Sequence, residues 1–564
     1  MQRLLLSILL LFTFTFSLSA QSDSVRLADV MRAYAEWDPQ DNGLMWSAPD
    51  AKSTAVEATE LRALKDRIPG EAKLSTADRL NRDILLHILD DGIFRREFGA
   101  WQFPLDAEGG FLASVVYRII GQRVSDEASM ERYTKMVDQI SPWFDRQIAA
   151  MQSGLAAGKT DPRLVVENCI AQIDRQLETP ITESIFLQVV ANDAARTQVL
   201  SKLVEQSTYP AYRRLRKFLA EDYLPKLRPG IGISEITNGK EFYRQRVRFF
   251  TTDDVTPEEV FATGQAEVAR IRTEMEAIIT KTGFDGSFAD FLQFLRTDEQ
   301  FYAKTPYELL SRAAWITKRM EGKLPQYFNH LPRMPLTVSP VPDALAPNYT
   351  GGRYSPGSYR NHKAGAFWVN TYNLPSRPYY VLPALALHEG VPGHHTQMML
   401  AAEMENVPAF RQNLYLSAFG EGWALYCEYL GKEAGIYETD YEEFGRLVYE
   451  MWRACRLVVD PGMHYFGWDR DKAVDFLASN TALSLHEVNT EIDRYIGWPG
   501  QAVSYKMGEL KIRQLRKMAE AELGDTFDLA SFHDLVLSNG AVTMRGLESL
   551  VQEWVNGRGS VPQD

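Results

Sequence analysis

Three of the chain's nine histidines fall within one short run, His388-Glu389-Gly390-Val391-Pro392-Gly393-His394-His395. Neutral imidazoles bind transition metals. A carboxylate beside one of them can take a proton from a water on the metal. These residue types therefore point to hydrolysis at a zinc ion. The zinc-binding helix pattern His-Glu-x-x-His sets two histidines four residues apart on one face. Here Pro392 occupies the place of the second histidine, and the next one, His394, lies six residues after His388. Six residues of straight helix rise about 9 Å, too far for two nitrogens that must each lie about 2.0 Å from one zinc. Pro392 has no N–H for the carbonyl of His388, so the helix is expected to break over Val391-Pro392-Gly393 and fold His394 back. His395 is the alternative second ligand.

A third ligand is expected from another helix. Glu421-Gly422-Trp423-Ala424-Leu425-Tyr426-Cys427-Glu428 begins 27 residues after His394. That distance lets one helix end and a second return antiparallel. Glu421, Leu425 and Glu428 share a helical face, and a carboxylate on an otherwise apolar helix is costly to bury without a cation or metal. Glu421 is the favoured ligand and Glu428 the favoured support for a ligating imidazole, the reverse assignment remaining open. His388, His394 and Glu421 would leave one coordination position for water, with Glu389 as its general base. Clustered histidines can also cap helices or fill core hydrogen bonds. The His-Glu pair, the Pro-Gly-His-His run and a downstream Glu helix together form a more specific signal.

The elements that would position these groups are mainly helical. Residues 25 to about 325 carry amphipathic stretches near 76–98, 126–153, 182–206 and 211–227. The best-marked helix starts at Thr256 as N-cap, with Pro257 in its first turn and Glu259 completing a capping box, and stops at Gly283. Near residue 330 the composition changes: Pro332, Pro335, Pro340, Pro342 and Pro347 follow in quick succession. Leu336-Thr337-Val338 and Ala366-Phe367-Trp368-Val369-Asn370 read as short strands, with glycine turns between them. Helical patterning returns at about Tyr379, and 526–557 reads as closing helices. The expected fold is mainly α, with a small sheet just before the His-Glu helix and a deep cleft. Its expected parts are a signal peptide at 1–20, a helical part at 21–330 forming one side of the cleft, and a catalytic part at 331–564.

The net charge of −13 and the absence of a basic block argue against nucleic acid or an anionic membrane surface as a partner. Arg3, the apolar run Leu4 to Phe16, and the small residues ending at Ala20 have the form of a cleaved secretory signal. The run falls short of the roughly 20 residues a membrane span needs. A secreted or periplasmic protein without stable membrane insertion is expected. Cys169, Cys427 and Cys455 are too few for a disulfide framework. Free buried thiols are favoured over a Cys427–Cys455 pair.

With these motifs in view, the chain resembles the bacterial family known as "domain of unknown function 885", itself similar to gluzincin metallopeptidases. The resemblance rests on His388 to Gln397, Phe419 to Tyr426, Arg456 to His464 and Trp498 to Gly508, and is strongest from about 345 to 515. It implies a large helical metallopeptidase-like fold, one zinc ion and peptide hydrolysis. Helical oligopeptidases carry a ligand Glu about 25 residues after their histidines, which Glu421 matches in rough spacing. They also carry a Tyr that stabilises the oxyanion, which Tyr505 resembles. The two-residue expansion between His388 and His394 departs from those enzymes.

Four further residues are candidates. His464, after the expected Asp460-Pro461-Gly462 turn, is a second possible oxyanion donor. Arg453 and Arg456 share a helical face and could clamp a substrate carboxylate or only pair with acids such as Glu450 or Asp460. Asn370 ends the strand before the His-Glu helix, and gluzincins bind extended peptide along such an edge. The expectation is an exported zinc metallopeptidase acting on peptides. A metal-dependent hydrolase of other amides or esters, or an inactive binding protein on the same scaffold, are the alternatives.

Overall fold

Local signals set several helix ends directly. The computed structural model describes residues 22–37, 46, 49–106, 110–343, 345–346, 350–405, 407–412 and 414–557. The expected signal peptide lies outside them. The helix Pro257–Thr282 begins and ends as its sequence predicts. Thr256 Oγ1 accepts from Glu259 N–H at 3.2 Å, Glu259 Oε2 accepts from Thr256 N–H at 2.8 Å, and Gly283 closes the helix at φ +72°. The stretch 76–98 is one helix, Thr76–Phe98.

Other stretches are divided. The region 126–153 forms two helices, Glu127–Asp138 and Ile140–Ala157. Pro142 has no N–H for the carbonyl of Asp138, so the ladder breaks there. Within 182–206, Asp193 starts the separate helix Ala194–Leu203 by accepting from Arg196 N–H at 3.0 Å. Tyr209–Lys217 passes into a widened turn over 218–223, ahead of Pro225.

A three-stranded sheet lies between the helices, in the order β1-β3-β2. β1 (Leu336–Pro340) runs parallel to β3 (Gly365–Val369), and β2 (Gly352–Ser355) runs antiparallel to it. β3 is almost wholly buried, as its continuous apolar run requires of a central strand. Both of its sides are hydrogen-bonded. The expected peptide-binding edge at the strand ending in Asn370 is therefore corrected: the sheet's edges are β1 and β2.

The main core crosses residue 330. It packs Met275, Phe291 and Met320 with Leu387, Trp423, Leu447 and Ile512. A second core around Trp143, Phe144, Phe186 and Tyr212 belongs to residues 46–227. The proline-rich boundary marks a change of element type rather than the end of a core.

Besides His394–Glu403, four later helices carry the site: Leu382–Glu389, Ser417–Glu433, Asp440–His464 and Ser504–Leu523. The second and fourth cross in backbone contact. A Cβ on Gly422 would lie 2.6 Å from Gly508 Cα, and one on Gly508 would lie 2.0 Å from the carbonyl oxygen of Ala418. Only glycine at both positions allows that approach, which carries Tyr505 toward Glu421. The expected turn at 460–462 is absent, since Pro461 sits within the last turns of Asp440–His464. Cys169, Cys427 and Cys455 are buried and unpaired. Among the described residues no helix is long and apolar enough to cross a membrane.

Candidate metal centre

His388 lies at the end of Leu382–Glu389, every residue of which is buried. The chain then turns through Gly390–Gly393, and His394 opens the next helix, His394–Glu403. Gly393 N–H donates to the carbonyl of Leu387 at 3.0 Å, and Trp423 Nε1–H donates to that of Pro392 at 2.9 Å. A Cβ on Gly393 would sit 2.0 Å from the carbonyl oxygen of His388, so the loop closes this tightly only with glycine. The result is the doubling back that the His388–His394 spacing demands. The two imidazole centroids are 4.9 Å apart, with their planes at 89°.

Glu421 completes a triangle. The Nε2 atoms of His388 and His394 each lie 3.4 Å from Glu421 Oε2. One ligand atom from each of the three residues falls within 4.8 Å of the others. Behind His388, Nδ1 is 2.7 Å from Glu428 Oε1, and Glu428 in turn lies 3.4 Å from Arg453 Nη2. A carboxylate accepts, so Nδ1 carries the proton, and a neutral His388 presents its Nε2 lone pair to the Glu421 oxygen. Two electron-rich atoms held face to face fit a cation between them. The donor set, two imidazole nitrogens and one carboxylate oxygen, is that of a catalytic zinc site.

The protonation preferences follow from the same arrangement. Burial disfavours the His388 imidazolium, but bonds to Glu421 and Glu428 outweigh it and raise the pKa to about 9. Burial disfavours ionised Glu421, yet His394 and His388 hold its carboxyl well below the usual range. The pocket attracts positive charge, whether proton or metal.

Glu389 is buried beside the triangle, and its Oε2 accepts from Tyr354 N–H of β2 at 2.7 Å. Tyr415 donates its hydroxyl to Glu421 Oε1 at 2.7 Å. Tyr354 and Tyr415 escape sequence reasoning because neither belongs to a spacing pattern. Tyr505 is half-buried. Burial and the charge of Glu421 raise its phenol, while Arg456 and Arg494 draw it down. The Arg456 guanidinium lies 4.2 Å from the centre of the Tyr505 ring.

Other expected residues stand elsewhere. His395 is outside the triangle, with Nδ1 3.0 Å from the Tyr354 hydroxyl and Nε2 donating to the carbonyl of Met334 at 3.0 Å. His464 is fully buried. Its Nδ1 accepts from Ile233 N–H at 3.2 Å and its Nε2 donates to the carbonyl of Tyr495 at 2.9 Å, so the ring has no nitrogen left for an oxyanion. Asn370 is also fully buried and donates to the carbonyls of Ala346 and Thr350, which ties a loop rather than a peptide. The two arginines do not form a clamp. Arg453 is stacked against Trp452 and directed at Glu428. Arg456 bonds the Tyr495 hydroxyl at 2.7 Å and Glu491 at 3.1 Å, and its buried Nη1 has no hydrogen-bond partner among the described residues.

Residues 41–551 match the family described as "Bacterial protein of unknown function (DUF885)". No curated protein matches the chain. Two solved structures share the fold over nearly its whole length. A Colwellia psychrerythraea protein labelled a lipoprotein is 26% identical, with a TM-score of 0.85, covering 95% of this chain and 100% of that one. A Shewanella oneidensis protein, labelled a lipoprotein of unknown function, is 17% identical with a TM-score of 0.70, covering 94% of this chain and 97% of that one.

Proposed function

The chain belongs to this bacterial family, and we propose that it is an exported, zinc-dependent hydrolase of peptide bonds. The observation that carries the reading is the triangle of His388 Nε2, His394 Nε2 and Glu421 Oε2, two buried imidazoles and a half-buried carboxylate with their ligand atoms within 4.8 Å of one another. A zinc ion held there would supply Lewis acidity and make a bound water more acidic. Two imidazoles in the donor set favour zinc over magnesium or calcium.

The chain's own groups divide the remaining work. Glu428 fixes the tautomer and direction of the His388 ring. Tyr354 N–H holds one oxygen of Glu389. The oriented carboxylate takes a proton from the attacking water and passes it to the leaving nitrogen. Tyr505, beside Glu421 and packed on Arg456, donates its hydroxyl to the oxygen that gains charge. The Tyr354 N–H bond to Glu389 points away from β3, so β2 is the strand edge along which an extended peptide would reach the base. The apolar N-terminal run and the lipoprotein label on the two similar proteins support a location outside the cytoplasm.

Elemental analysis combined with digestion of a peptide library, with and without chelator, tests the proposal. One zinc per chain and chelator-sensitive cleavage are expected. Glu389→Gln should keep the zinc and lose roughly 10²–10⁴-fold in rate, the usual scale of a general base. Absent zinc, or cleavage indifferent to chelation, overturns the reading. Full activity of the zinc-loaded variant overturns the role of Glu389.

A further inference from the structure

A cavity of about 410 Å³, with Leu385 in its wall one helical turn before Glu389, takes no part in the chemistry described so far. Its walls include Leu385, Val448, Leu483, Val369, Tyr302 and Tyr449. The volume lies at the lower end for small-molecule pockets, with room for a large side chain and its stretch of backbone.

Three elements connect this cavity to the site. Leu385 and Glu389 are four residues apart on one helix face, a rise of about 6 Å. β2 runs alongside. A Cβ on Gly352 would touch Leu385 Cδ2 at 3.2 Å, and Tyr354 N–H bonds Glu389. Those two steps of strand cover about 6.6 Å, so strand and helix keep pace between cavity and base. On the opposite wall Tyr449 lies one turn from Arg453, which reaches Glu428 and so His388.

The charged groups at the cavity, Arg296, Arg377 and Glu487, each have partners in the chain. Arg377 and Glu487 both line it and attract each other. Arg296 spends its guanidinium on the carbonyls of Ala478, Thr481 and Leu483. With those groups engaged by the protein, the mainly apolar walls left to an occupant suit an apolar one.

We infer that this cavity is a specificity pocket for a large, uncharged, apolar side chain of the substrate, set about two residues along an extended chain from the bond that is cut. The inference rests on the hydrolase reading, and its test separates the two. Library digestion should show Phe, Leu, Met or Tyr enriched at one position about two residues from the cut. The preference over Ala should be roughly 10–200-fold in kcat/KM, the usual range for apolar pockets. Two variants narrow the cavity: Ala482→Phe from within, and Leu485→Trp from its rim, where Leu485 is 62% exposed and the fold is least at risk. Each should pull the Phe-to-Ala ratio toward one.

Direct binding supplies the second readout. N-acetyl-phenylalanine amide, a neutral probe, should bind the chelated wild-type protein by calorimetry and fail to bind Ala482→Phe. Cleavage without any such preference, or a preference that both folded variants retain, overturns the pocket and leaves the hydrolase standing. Probe binding blocked by Ala482→Phe, in a protein that cuts no peptide, supports the pocket and overturns the hydrolase.

Discussion

The Asp440–His464 helix borders two buried polar clusters of opposite design. In one, Lys506 Nζ lies 2.8 Å from Glu450, 2.8 Å from Glu509 and 3.1 Å from Glu267. Arg446 meets Glu450 at 2.7 Å and Glu443 at 2.8 Å, Arg270 meets Glu267 and Glu450, and Arg513 meets Glu509. Four carboxylates face four cations, so the sum is zero. In the other, Glu389, Glu421 and Glu428 are joined, among the ion pairs of the described residues, by the single arginine Arg453 on Glu428: one positive charge against three negative leaves −2 when the imidazoles are neutral. The first cluster is complete within the chain. The second is short by the charge of one divalent cation. Burial alone does not distinguish architecture from a ligand site, whereas the charge balance does.

The strongest way to break this comparison is Glu421→Gln. It should abolish stoichiometric zinc and reduce turnover to that of the chelated protein. In the metal-free state above pH about 9, where His388 is neutral, it should cost no stability, because it removes one of the carboxylates in excess. Zinc at 100 times its dissociation constant should add about 2.7 kcal/mol to the wild-type chain and nothing to the variant. Thermal unfolding of both proteins, with and without zinc, reads this out. A metal-free variant that unfolds well below the metal-free parent would mean the triangle is already satisfied.

Lys506→Met strikes the balanced cluster. It leaves three carboxylates without their shared cation and should cost about 3–5 kcal/mol by urea unfolding. Zinc should not recover the loss, and the folded variant should still bind one zinc per chain. The pH profile has a definite sign. Burial works against ionised Glu450, but Lys506, Arg446 and Arg270 hold its carboxyl well below the unfolded value of 4.5. Its stabilising contribution is therefore complete above that pH and lost as the pH falls below it. The variant should show a flatter acid limb. An unchanged limb would place the acid sensitivity elsewhere.

The same contrast explains what could be read beforehand. Helix caps are local chemistry, so Thr256, Glu259 and Gly283 gave the ends of Pro257–Thr282 without tertiary information. The fold-back at Pro392-Gly393 was legible because a straight helix cannot bring His388 and His394 together. Glu428 was legible as an acid stranded on an apolar helix. Charge pairing between distant elements was not. Arg453 shows helical spacing with Arg456 in the sequence, and nothing there discloses Glu428 on another helix. His464 was misjudged for a related reason. Pro461 suggested a turn opening to a cleft, but the helix runs on through it to His464, whose imidazole packs inward between two backbone partners. Tyr354 became legible only once the sheet order set β2, rather than β3, at the edge beside Glu389.

The smallest effect falls at the joint between the clusters. Arg453 touches neither the triangle nor the proposed substrate path. It lies 3.4 Å from Glu428, which orients His388. Losing such a supporting group typically weakens metal binding about 10–100-fold, so Arg453→Met should raise the zinc dissociation constant by that factor at unchanged stoichiometry. At 3.4 Å the contact is long for a directional hydrogen bond, so its action is mainly that of a nearby positive charge. Arg453→Lys should then restore most of the affinity, although it cannot reproduce the stacking on Trp452. Rescue by lysine assigns the effect to charge, and failure of the rescue assigns it to the planar packing. If Arg453→Met binds zinc as tightly as wild type, Arg453 does not belong to the metal centre's charge count. The count would become −3, and the match to a single divalent ion would fail.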